Sequence, residues 1–326
     1  MPPVSVEEPV RRGQAGVDHP DPWWQRPAVL FLTASLIWGS TWLAITYQLG
    51  HVATEASVAY RFALAAAILA AWCWVTRRPL RFPVAVHGLL AAQGALLFGL
   101  NYVAVYKAEE NIASGLVAVL FSTIVFTSLV GTRLAFGVPI TRRALAGAML
   151  GVGGVALLFL PARDSVRAGG NAALGVAFGL AATLLATGGN LVSMRMQQAR
   201  LPIMGTTAWG MAYGALFAAA TAAGTGAAWT FDISAHYIGS LLYLAVFGSV
   251  VAFGSYLTLL SKVGAGPSSY VGVATPVLAM VLSTLLESYR WSWVGVLGVC
   301  LAVCGNVLVL RAPRRAGVER TATGLG

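Results

Sequence analysis

The sequence predicts an all-α polytopic membrane protein, with ten transmembrane helices arranged as two inverted five-helix repeats. Three observations predict it. Of the 326 residues, 58% are hydrophobic and only 10% charged, against about 25% charged in soluble domains. The apolar residues fall into ten continuous runs separated by the charges. The fifth and tenth runs share a glycine pattern at a constant offset.

The ten runs lie at about 28–48, 56–75, 84–106, 112–136, 142–161, 172–198, 203–228, 237–262, 267–286 and 291–311. A bilayer core roughly 30 Å thick takes about 20 helical residues. Runs longer than that imply tilt or ends buried in protein. The runs do not alternate every second residue, which disfavours a strand barrel. The leading segment, 1–27, is polar and rich in Pro and Gly, and ends in Trp23 and Trp24, a pair suited to the membrane interface. It has no small-residue cleavage site after a short apolar stretch, so a secretory signal peptide is not expected. The tail 312–326 reads as disordered. Cys73, Cys300 and Cys304 all lie inside apolar runs and read as small core residues, with no disulfide framework or metal cluster.

Basic residues set the orientation. Summed over alternate loops and the tails, sixteen lysines and arginines fall on one side, among them Arg77, Arg78, Arg81, Arg133, Arg142 and Arg143. Four fall on the other: Lys107, Arg163, Arg167 and Arg290. Short basic loops stay in the cytoplasm, so both termini are expected there. The net charge of +10 is spread over six segments, a topology signal and not a nucleic-acid surface.

The repeat is read from "GAMLGVGGVALL" and "GVCLAVCGNVLV". Gly147, Leu150, Val152 and Gly154 correspond to Gly298, Leu301, Val303 and Gly305, and upstream Thr123 meets Thr275. The halves are 28–161 and 172–311. Five is odd, so the second half enters the membrane from the opposite side. Inverted repeats of this kind are typical of secondary transporters, whose substrate site lies near the midplane between the halves.

The residues also carry a family resemblance. "SLIWGSTWLAI" in the first run, "NIASGLVAVLFST" in the fourth and the paired glycine-rich fifth and tenth runs resemble the ten-helix drug/metabolite transporters of the EamA type. The resemblance covers about 28–311. It implies a small-metabolite or amino-acid transporter, often an exporter, in a bacterial inner membrane, with exporters of aromatic amino acids among the similar proteins. One departure is Val138 after Gly137, where members often carry Glu; the second half keeps its acid at Glu287.

Polar and aromatic residues inside the runs are the candidate substrate contacts, because hydrocarbon penalises unsatisfied polar atoms. The third run presents Phe98, Tyr102 and Tyr106 at spacing four, beside Asn101. Trp209, Tyr213 and Phe217 repeat that spacing in the seventh, and Trp38 and Trp42 flank Gly39, Ser40 and Thr41 in the first. Asn190 and Tyr270 complete the set. Such rings suit flat or apolar substrate parts and can hold an ammonium. Packing and interfacial anchoring are the competing readings, for Tyr106 above all. Pro276 removes a backbone donor inside the ninth run and is a candidate hinge. Gly147/Gly151, Gly175/Gly179 and Gly210/Gly214 have the spacing of close helix contacts.

Arg61 is the only cation assigned within the membrane, in the outer third of the second run. It can snorkel outward as an anchor or meet a substrate carboxylate; Glu287 is a second candidate for gating. The acids Glu55, Glu109, Glu110, Asp164, Asp232 and Glu287 all fall at the outer side, which weighs against cation/proton antiport. Proton coupling through Glu287, Glu110 or His87 and facilitated diffusion both stay open, as does monomer or homodimer. The histidines His19, His51, His87 and His236 form no catalytic set, so neither an enzyme nor a cofactor is expected. The expected partners are a small-molecule substrate and the lipid bilayer, with no nucleic acid. The expected function is alternating-access export of small amphipathic metabolites, aromatic or hydrophobic amino acids first. Multidrug, sugar or nucleoside transport by the same fold is the alternative, and a channel, which would need a filter or charge ring not seen here, is a weaker one.

Overall fold

The computed structural model describes residues 22–50, 52–159, 169–263, 268 and 270–311. Most of both expected tails, with Arg163 and Arg167, lies outside them. After a 3-10 turn at Trp23–Gln25 the chain is helical throughout: α1 is Pro27–Thr46, α2 Thr54–Val75, α3 Val84–Glu109, α4 Ser114–Phe136 and α5 Arg142–Phe159. Then follow α6 Ala172–Gln198, α7 Ile203–Thr225, α8 at 235–263, α9 Val271–Leu286 and α10 Trp293–Leu310. No strand occurs among the described residues.

Among the described residues seven helices are long and apolar enough to cross a membrane: α1, α2, α3, α4, α6, the Ala235–Tyr256 part of α8, and α10. The apolar α9 is shorter. The protein is thus an all-helical polytopic membrane protein.

Local sequence explains where the helices start and stop. Pro27 opens α1 at a position that needs no N–H. Asn171, Ser234 and Ser292 cap α6, α8 and α10 by accepting first-turn N–H bonds. Gly137 and Gly226 end α4 and α7 in the left-handed conformation (φ +70° and +67°), which glycine adopts without a Cβ clash.

Three helices are not the continuous α-helices their apolar runs suggest. Gly94–Gly99 in α3 and Tyr243–Val251 in α8 are wound as π-helix. α4 is broken at Ser122 and Thr123, whose hydroxyls donate back to the Val119 and Leu120 carbonyls. Hydroxyl back-bonding of this kind competes with the helical ladder.

Glycine sets the packing. α5 lies along α10, and a Cβ added at Gly154 would meet the Gly298 carbonyl at 2.5 Å and one at Gly147 the Gly305 carbonyl at 2.7 Å. α2 packs on α7, and the π-wound part of α3 rides on Gly210 and Gly214 of α7. α3 and α4 also meet α6, while α1 is held between α8 and α9 and α9 also packs on α4. The expected close contacts at Gly147/Gly151, Gly175/Gly179 and Gly210/Gly214 are all present. Of the three cysteines, only Cys73 is a core residue; Cys300 and Cys304 are exposed on α10, where their small apolar side chains suit a lipid-facing position.

Candidate functional site

Arg61 is the centre of the site. It does not snorkel outward. It is 1% exposed, roughly 10 Å along α2 from Thr54 at about 1.5 Å per residue. Its guanidinium carbon lies 4.5 Å from the centroid of the Tyr102 ring and 5.1 Å from that of Phe62. Cation–π contacts of this kind are worth about 2 kcal/mol when desolvated. Phe62 in turn packs on Phe98 and Tyr102, with centroids 5.5 and 4.8 Å away.

The opposite wall comes from α1 and the π-wound part of α8. A Cβ built on Gly248 would stand 2.9 Å from the Thr41 methyl and 3.6 Å from Arg61 Nη2, so the missing side chain lets α1 approach α8 closely at Thr41, beside the arginine. Trp38 donates its indole N–H to the Gly248 carbonyl at 3.1 Å and packs on Phe253 and Tyr256. Ser40 and Tyr243 share a 2.6 Å hydrogen bond between their hydroxyls. Trp42 turns to Phe121 of α4, 5.4 Å between centroids.

The two π-wound segments therefore flank the same charge. A π turn disturbs the hydrogen-bond ladder and leaves backbone groups to be satisfied otherwise. Asn101 donates to the Leu97 carbonyl in α3, and Ser249 to the Leu244 carbonyl in α8. Asn101 thus bonds to its own helix, while its buried amide oxygen has no partner among the described residues.

On the outer side of Arg61 lies a buried polar layer. The Tyr106 hydroxyl is within hydrogen-bonding reach of the guanidinium and donates to Gln48 Oε1 at 2.9 Å. Tyr106 is completely buried, which rules out the interfacial-anchor reading. Glu109 is also completely buried and within electrostatic reach of Tyr106. Above them Lys107 lies 3.7 Å from Glu55 and 3.4 Å from Glu110, and Glu110 also accepts from Thr54.

What remains is the decisive feature. Arg61 Nε and Nη1 are buried and have no acceptor among the described residues. A buried donor left unbonded costs about 1–3 kcal/mol, and more when charged. The guanidinium presents a planar fork of donors suited to a carboxylate.

The remaining candidates do not join this cluster. Trp209 donates to the Leu80 carbonyl at 2.8 Å, and Tyr213 shares a 2.9 Å hydrogen bond with His87 Nδ1. Both brace α7 against the loop before α3 and the start of α3. Phe217 is exposed. Asn190 is half-buried on α6. Tyr270 accepts from Arg311 at 2.9 Å, which ties the start of α9 to the end of α10. Pro276 is buried inside α9, which continues through it. Glu287 accepts from the Ser114 N–H at 3.2 Å and from the Ser114 and Ser283 hydroxyls at 2.5 and 2.6 Å. It clamps the N-terminus of α4.

Sequence reasoning missed Glu109, Gln48 and Gly248. Glu109 and Glu110 read as one outer-end acidic pair, yet successive helical residues point about 100° apart, so one faces inward and one outward. Gly248 carried no signal, because its role follows from the π turn. Among the described residues no group of His, Cys, Asp or Glu could hold a metal ion.

A family model described as the EamA-like transporter family matches residues 25–160 and 173–311. The protein PagO of Salmonella typhimurium is 23% identical over 291 residues, covering 87% of this chain and 93% of its own. The inner membrane transporter YedA of Escherichia coli K12 is 26% identical over 311 residues, covering 88% and 94%. A crystal structure 22% identical in sequence superposes with a TM-score of 0.60 over 86% of this chain and 95% of its own.

Proposed function

The chain belongs to the EamA-like transporter family, and from that premise we propose that it exports small amphipathic carboxylates, amino acids with aromatic or hydrophobic side chains first, by alternating access across the bacterial inner membrane. The observation that carries the reading is Arg61: a fully buried guanidinium, stacked on Tyr102, with two unbonded donors. A carboxylate can accept from Nε or from Nη1, in each case with Nη2 as the second tine of the fork. Phe62, Phe98, Tyr102 and Trp38 supply apolar faces for the rest of the molecule. The outward direction follows the resemblance to exporters. Both termini in the cytoplasm follow from the sixteen-to-four split of basic residues.

Ten spans in two inverted halves, 28–161 and 172–311, suit this mechanism. The same family model fits both halves. Adding five to each helix number maps the contacts α1–α8 and α1–α9 onto α6–α3 and α6–α4, and α3–α7 onto α8–α2. The contacts α2–α7, α4–α9 and α5–α10 map onto themselves. The offset of 151 that relates Gly147 to Gly298 carries the π turn at 94–99 onto 245–250, within the π turn of α8. These correspondences support a pseudo-twofold relation between the halves.

The test is counterflow in proteoliposomes. Vesicles loaded with unlabelled phenylalanine or tryptophan should accumulate the labelled amino acid transiently, with saturation, and the matching amines without a carboxylate should not compete. Equal competition by the amine, or conductance that never saturates, would discard the reading.

A further inference from the structure

The lipid-facing side of the α2–α7 contact carries a feature that the transport reading does not use. A groove of about 490 Å³ runs between the two helices. Its floor is alanine: Ala63, Ala67 and Ala70 from α2, and Ala208 and Ala212 from α7. At Leu80 the groove joins a second concavity of about 630 Å³, lined by Trp74, Arg77, Arg78 and Arg81. One continuous surface is therefore apolar along the helices and cationic where they leave the membrane.

Three further observations say what this surface fits. No acid occurs in the chain between Glu55 and Glu109, and α7 carries none, so neither segment supplies a carboxylate for the arginines. The arginine loop is held in place: Trp209 bonds the Leu80 carbonyl at 2.8 Å, and Gly205 sits so close to the Pro79 carbonyl that a Cβ there would meet it at 2.2 Å. Arg77 adopts φ +54°, a conformation that costs a residue with a Cβ roughly 1–2 kcal/mol and that glycine would adopt freely. From Ala63 to Val75 α2 rises about 18 Å, close to the roughly 15 Å of one leaflet's hydrocarbon. Three residues beyond Arg81 the first turn of α3 begins without a side-chain cap, and a helix N-terminus favours negative charge.

We propose that this surface is the seat of one anionic diacyl phospholipid of the leaflet at the arginine-rich end, its phosphate on Arg77, Arg78 and Arg81 and an acyl chain along the alanine floor. The small alanine side chains leave a trough that a linear chain fills and larger side chains would close. The site is separate from Arg61, which faces α1, α3 and α8.

Native mass spectrometry of the full chain, titrated with phosphatidylglycerol and with phosphatidylethanolamine of the same acyl chains, tests the assignment. Phosphatidylglycerol should be retained preferentially. Arg77→Gln, Arg78→Gln and Arg81→Gln together should weaken its retention about a hundredfold. Ala67→Leu with Ala212→Leu, which fills the groove and spares the charges, should lower it about tenfold. Glycerol phosphate alone should not displace the lipid, since it lacks the chain. Equal retention of the two lipids, retention indifferent to the filled groove, or displacement by glycerol phosphate would each overturn the proposal. So would a filled groove that dissociates a dimer while leaving lipid retention unchanged, because the face would then be an interface between copies.

Discussion

Where α5 meets α10, backbone lies on backbone: Gly154 faces the Gly298 carbonyl and Gly305 the Gly147 carbonyl, each with no room for a Cβ. Where α2 and α3 meet α1 and α8, the contact is made of rings around a charge: Tyr102, Phe62, Trp38 and the buried Arg61 with its two unbonded donors. The first contact is set by the absence of side chains. The second holds two guanidinium donors with no acceptor among the described residues, and it is flanked by two π-wound segments, a winding often found at functional sites. The difference separates a joint that holds two helices together from the seat proposed for a carboxylate.

The sharpest way to break this contrast is to remove the charge. Arg61→Ala should lower carboxylate counterflow by about tenfold to a hundredfold, the worth of one charge-assisted hydrogen bond of roughly 1.5–3 kcal/mol. Arg61→Lys should restore little of it, because a point charge gives up both the fork and the stacking on Tyr102. Flux within about twofold of the parent in the alanine variant would remove Arg61 from the substrate path.

The opposite contact should respond in stability and not in substrate affinity. Gly154→Leu drives a side chain into the Gly298 carbonyl and the Ala302 N–H, 2.5 Å from the first added carbon. Overpacking typically costs about 1–3 kcal/mol, and a clash with backbone belongs at the upper end. The melting temperature in detergent should fall, while KM of the protein that remains folded stays put. A variant with a changed KM and an unchanged melt would show that this joint takes part in binding.

Much of the arrangement is legible in the sequence, and the rest fails for identifiable reasons. Apolar runs mark the helices because a bilayer demands length and hydropathy before anything else. Gly147, Gly154, Gly298 and Gly305 are legible as a contact because small residues at helical spacing have few other uses in a membrane. Arg61 is legible because a lone cation in an apolar run is costly. The π turns are not legible: residues 94–99 and 243–251 look like ordinary apolar helix, with no proline or charge to mark the change of winding. Without the π turns Gly248 is invisible. The aromatic triplet of α7 misleads for a related reason. Spacing four puts Trp209, Tyr213 and Phe217 on one face, but periodicity does not say which neighbour that face meets. The neighbour is the loop ending at Leu80 and the His87 end of α3.

An intermediate effect is expected at Glu287, which holds the N-terminus of α4 through Ser114 and draws in Ser283. Glu287→Gln removes the charge from a helix N-terminus and weakens the bonds to Ser114, a loss of about 2 kcal/mol. The melt should drop by a few degrees, less than for Gly154→Leu. An unchanged melt would mean that α4 is held by its apolar packing alone.

The smallest effect belongs to Trp209, and it tests the contrast from its weak side. Its indole N–H reaches only the Leu80 carbonyl, and its ring meets His87 and Tyr213. Trp209→Phe keeps an aromatic body and deletes one neutral hydrogen bond, worth about 1 kcal/mol. Stability should fall by that amount, with KM within about twofold of the parent. A tenfold rise in KM at an unchanged melt would place substrate against α7, and the binding region would then extend across α3 from Arg61 to the helix that now serves only to brace it.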